Sequence, residues 1–122
     1  MDLIPYQKYY KETELWKKLS RVGKKVGIKA VYAVLLLFYA SVSKQTSLRD
    51  KVIIYGALGY FVLPLDLIPD ALGLPGYSDD LKALLLALKN VWQNITPEVQ
   101  AKARARLTDW FGHFTEQDIQ LF

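Results

Sequence analysis

The sequence predicts an all-α fold, a compact bundle of four to six helices, on three observations. Its long apolar runs exceed strand length, and no alternating polar and apolar stretch is bounded by hairpin turns. Apolar residues recur at spacings of three and four. Helix-start signals stand at Ser47, Ser78 and Thr96. At 122 residues, 52% apolar and 23% charged, the chain has the make-up of a single domain over 1–122 that can bury a core without staples. With no cysteine it has no disulfide frame, thiolate zinc site or cysteine nucleophile.

The first helix is read from Leu15, Leu19, Val22 and Val26, which fall within a narrow arc of a 3.6-residue helix. Lys17, Lys18, Arg21, Lys24, Lys25 and Lys29 are placed on the other side, making 8–29 a basic amphipathic segment. The helix continues to Val42, or resumes after a break near Gly23 and Gly27; those glycines and Ala30 also form a small-residue seam. After a polar connection, Ser47-Leu48-Arg49-Asp50 resembles a capping box with Asp for Glu, so a helix starts there and runs until Pro64. Residues 64–78 hold Pro64, Pro69, Gly73, Pro75 and Gly76, too many breakers for regular structure, and read as an ordered elbow. Ser78-Asp79-Asp80 opens the next helix, with Leu81, Leu84, Leu85, Leu88 and Trp92 as its apolar stripe. Thr96-Pro97-Glu98 starts a last long helix ending near Gly112, and Thr115 to Asp118 nucleate one more turn.

Charge is uneven. Residues 1–51 hold eleven Lys/Arg against four Asp/Glu, and residues 52–122 hold five against eight. The opening Met1 to Tyr6 has neither a basic region nor a following apolar one, so a cytoplasmic location is expected. Two charge-free windows, 30–43 and 52–65, have fourteen residues each. As helices they would be about 21 Å long, short of the ~30 Å hydrocarbon thickness. A spanning hairpin would also place basic stretches on opposite sides, against the positive-inside tendency. Lying on a membrane is easier to support. A basic face with Trp16, preceded by Tyr6, Tyr9 and Tyr10, has the composition of an interfacial helix on an anionic surface. The plainer alternative is a core helix with a solvated face.

The most distinctive stretch is Tyr60-Phe61-Val62-Leu63-Pro64-Leu65-Asp66-Leu67-Ile68-Pro69-Asp70, followed by Gly76-Tyr77-Ser78-Asp79-Asp80-Leu81. It resembles the YkvA-like family of unknown function, whose mark is a Pro-x-Asp-x-Ile-Pro-Asp run, a glycine, and an Asp-Asp pair opening the next helix. Pro64, Asp66, Ile68, Pro69, Asp70, Gly76, Asp79 and Asp80 match in order and spacing, and the resemblance covers roughly residues 48–90, about a third of the chain. Gly73 departs from it, standing where such sequences often carry proline. The resemblance implies a short helical domain, often membrane-associated, and no established reaction.

Asp66, Asp70, Asp79 and Asp80 admit two readings. As a structural brace, Asp79 and Asp80 serve a helix N-terminus and Asp66 and Asp70 bond turn N–H groups. Arg106, on the arc of Val99, Ala103 and Trp110, needs a partner there, and Arg49 and Arg106 are the candidate charge partners of the acids. As a ligand set, four carboxylates offer only oxygen, so an ion would be Mg²⁺, Ca²⁺ or Mn²⁺. The brace is favoured, and no cofactor is expected. His113 stands alone, no serine lies in a nucleophile elbow, and no glycine run forms a phosphate loop. The basic segment matches no reader fold for nucleic acid. The expected function is that of a non-catalytic helical module, membrane-peripheral at the inner face or self-associating as a homo-oligomer. The competing class is a small enzyme or ion-binding protein built on the four aspartates.

Overall fold

The computed structural model describes residues 3–62 and 78–122, apart from the side chains of 22–26 and 78–80. Among the described residues there are five α-helices and no strand: α1 (Glu12–Val26), α2 (Ile28–Val42), α3 (Leu48–Val62), α4 (Ser78–Asn90) and α5 (Pro97–Phe111). Short 3-10 segments stand at Ile4–Tyr9, Trp92–Asn94 and Gln117–Ile119. The all-α expectation holds. The proline- and aspartate-rich elbow lies outside the described residues.

α2 is the centre of the bundle. Every residue from Ala30 to Phe38 is buried, which its charge-free sequence allows on all sides of the helix. α1, α3, α4 and α5 all pack on it. α5 contributes Val99, Ala103 and Leu107, four residues apart and thus on one face; α3 contributes Ile54, Ala57, Leu58 and Phe61; α4 contributes Ala83, Leu84, Ala87 and Leu88. No helix among the described residues is long and apolar enough to cross a membrane.

The helix ends follow local chemistry. Gly27 interrupts α1 and α2 at φ +89°, a conformation open to a residue without Cβ, and this settles the alternative between continuation and break. The Thr96 hydroxyl accepts from the Val99 N–H at 3.2 Å, with Pro97 at the first helical position. Gly112, at φ +72°, closes α5 as its N–H bonds the Thr108 carbonyl at 2.8 Å. At α3 the Ser47 hydroxyl accepts from the Asp50 N–H at 3.2 Å, the expected half of a capping box. The other half is missing, because the Asp50 carboxylate turns away to accept from Asn94.

Three expectations are corrected. Trp92 is not on the α4 stripe: α4 stops at Asn90, and Trp92 lies exposed in the following 3-10 turn. Gly27 is no close-approach point, since a Cβ there would meet nothing within 4 Å. The close approach is instead on α3, where Gly56 and Gly59 receive the backbone of the N-terminal segment. A Cβ at Gly56 would lie 2.8 Å from the Leu3 carbonyl carbon, and one at Gly59 2.7 Å from that of Tyr6. Tyr6 and Tyr10, expected beside the basic face as part of an interfacial surface, consequently pack their rings against α3. Tyr6 meets Tyr60 edge to face at 5.0 Å, and Tyr10 stacks on Tyr55 at 5.5 Å.

Candidate functional site

α1 packs Leu15 and Leu19 into the core and turns Lys17 and Arg21 outward. Trp16 stands at the boundary. Its ring meets Phe38 of α2 edge to face at 4.8 Å on the core side and Trp110 at the end of α5 at 5.9 Å. Arg106 joins the two tryptophans, its guanidinium carbon 5.5 Å from the Trp16 ring centre and 5.8 Å from that of Trp110. The Arg106 Nε–H donates to the Tyr39 hydroxyl at 3.3 Å, a contact that raises the guanidinium's affinity for its proton.

Arg106 is therefore not a buried charge. The α5 face turned to α2 is Val99, Ala103 and Leu107; Arg106 and Trp110 lie at its exposed edge, where aromatic faces accept the cation. Beside this cluster a surface depression is lined by Thr13, Trp16, Lys17, Ser20 and Arg21. Trp16 belongs to both, so cation and aromatic surface are continuous from α1 to the end of α5. Lys17 also pairs with Glu14 at 3.7 Å, an exposed contact of small worth. Lys29 is exposed at the start of α2, and the side chains of Lys24 and Lys25 lie outside the described residues.

Lys18 departs from the expected basic face: it is 6% exposed. Three residues of helix place it about 60° from Leu15, at the rim of the apolar arc, close enough for its flexible stem to turn inward. Its ammonium lies 4.6 Å from the Phe61 ring centre and donates to the Phe61 carbonyl in the last turn of α3. A cation there complements the negative end of the helix. Lys18 thus sits beside the residues that lead into the elbow.

Of the acidic cluster, Asp66 and Asp70 lie outside the described residues, as do the side chains of Asp79 and Asp80. Arg49, the other candidate partner, is exposed in the first turn of α3. Among the described residues no three of His, Cys, Asp and Glu gather as metal ligands would. The acid that sequence reasoning passed over is Asp50, read only as a cap. It is 0% exposed and holds α3 to the Trp92–Asn94 turn through the Asn94 amide, while its Oδ1 and the Thr46 Oγ1 are buried without hydrogen-bond partners among the described residues. No periodicity marks such a residue, because its partner is 44 positions away.

Residues 50–86 match the family model described as Protein of unknown function (DUF1232), consistent with the YkvA-like resemblance of the proline-aspartate stretch. The match runs from the first turn of α3 into α4 and takes in under a third of the chain. α1, α2 and α5, which build the basic aromatic surface, lie outside it. Neither the curated proteins nor the solved structures contain a match to this chain.

Proposed function

We propose that this chain is a non-catalytic, membrane-peripheral helical module that rests on an anionic, cytoplasmic-side lipid surface through α1 and the end of α5. The observation that carries the reading is the continuity of Trp16, Arg106 and Trp110 with Lys17 and Arg21. Two indole rings, one of them 41% exposed at Trp110, lie at a surface rimmed by guanidinium and ammonium groups. Aromatic rings of this kind partition to the headgroup boundary, and each basic side chain near an anionic surface adds on the order of 1 kcal/mol. In the same reading the acidic elbow is a brace, with Lys18 next to its entry supplying buried positive charge.

Vesicle co-sedimentation tests the surface. The chain is expected to bind phosphatidylserine-containing vesicles at low salt and to leave them at high salt. Lys17→Glu/Arg21→Glu, two exposed substitutions, should abolish binding without altering the fold. Absence of binding to anionic vesicles at low salt, or equal binding to neutral ones, overturns the proposal.

A further inference from the structure

A second site lies elsewhere on α5. Arg104 is two residues from Arg106, which places the two side chains on different sides of the helix, so this site is independent of the membrane-facing surface. A cavity of about 620 Å³ opens between α2, the Trp92–Asn94 turn, α5 and the tail, within the usual size of a small-molecule site. Leu36, Ile119 and Leu121 supply apolar lining, and the Trp92 and Phe122 rings meet edge to face at 5.4 Å.

Gln100, Gln117 and Gln120 add polar lining, and three further polar groups, Tyr32, Arg104 and Glu116, interact there. Tyr32, 5% exposed, has its phenol pushed up by burial and drawn partly back by the Arg104 guanidinium. Arg104 holds the Glu116 carboxylate with two nitrogens, one bond at 2.9 Å and a second to the other oxygen, and this keeps the Glu116 carboxyl below its ordinary range. Such a planar fork is the geometry that reads a carboxylate. Here the chain's own tail fills it with a side chain that is 76% exposed, so the pair is screened by solvent and readily exchanged.

We propose that the cavity binds an amphipathic carboxylate of the fatty-acid type, with Glu116 standing in for its head group. The ligand's carboxylate takes the Arg104 fork, its chain lies along Leu36, Ile119, Trp92 and Phe122, and Glu116 swings to water. A single guanidinium matches one negative charge; a phosphate dianion would bring two against it.

Isothermal titration of the full chain with decanoate, and with 1-decanol as the uncharged analogue, tests this. Saturable one-to-one binding of decanoate is expected, with decanol at least tenfold weaker, as about 1.4 kcal/mol per tenfold and the strength of a charge-assisted fork require. Glu116→Gln removes the competing charge from the fork and should tighten decanoate binding by about two- to fivefold, the range for an exposed pair. Arg104→Gln should weaken it by about tenfold or more. If Arg104→Gln fails to fold, Glu116→Gln alone decides. The proposal is overturned by no saturable binding to the wild type and Glu116→Gln, by decanol binding as tightly as decanoate, or by Glu116→Gln leaving the affinity unchanged.

Discussion

Replacing Gly59 with alanine sets two effects of opposite sign against each other, and the structure says which wins. In an open helix interior the change stabilises by about 1 kcal/mol, because glycine loses more backbone freedom on folding. Gly59 is not in open space. The new methyl would stand against the Tyr6 carbonyl, 2.7 Å from its carbon and 3.3 Å from the Tyr10 nitrogen, where carbon–carbon contacts prefer about 3.5–4.0 Å. The obstacle is backbone, so no rotamer change relieves it, and overpacking of this kind costs about 1–3 kcal/mol. Moving the segment also disturbs the Tyr6–Tyr60 contact and the burial of Leu3. The net expectation, after the helix gain is subtracted, is a loss of up to about 2 kcal/mol. Gly56→Ala, against Leu3, should behave alike. Once either methyl has lifted the segment, the second meets free space, so the double variant should be more stable than additivity predicts by over about 0.5 kcal/mol. Urea unfolding followed by helical circular dichroism measures all three. A gain of about 1 kcal/mol for either single variant would refute the close approach, since only the intrinsic preference of the helix would remain.

Other substitutions and conditions test separate contacts. Asn94→Ala removes the amide donor from the buried Asp50 carboxylate and should lower unfolding free energy by about 1–3 kcal/mol, read by chemical denaturation; an unchanged midpoint would show that Asp50 does not rely on it. Lys18→Met keeps the stem and deletes the charge beside the end of α3. A loss of about 1–3 kcal/mol is expected, and a rise in melting temperature would refute the bracing role of this cation. The Tyr10 phenol is pushed up to about 12 by burial, then by Glu12 and by Tyr55. Its folded value lies above the unfolded 10.0, so this contribution is intact below pH 10 and is lost as pH rises from 10 to 12. Because the ring is partly exposed, the loss is about 1 kcal/mol after screening. Tyr10→Phe should flatten that part of the stability–pH curve.

Features that neighbouring residues decide among themselves were legible before folding. The helical class follows from apolar spacing, the start of α5 from Thr96 and Pro97, and its end from Gly112; each is a matter of one or two turns of chain. The brevity of the charge-free windows agrees with the finding that no helix among the described residues is long and apolar enough to cross a membrane. The DUF1232 match over 50–86 was likewise readable, because its mark is a contiguous run of prolines and aspartates. Tertiary structure decided the pairings. Lys18 turns inward to Phe61 across 43 positions, Asp50 to Asn94 across 44, and Arg106 is satisfied by Tyr39 across 67. Gly56 and Gly59 look like poor helix residues until the N-terminal segment is laid against them. A side chain at the rim of a helical arc can face water or core at nearly equal local cost, and what settles the matter is a distant donor, carbonyl or ring that only the folded bundle brings within reach.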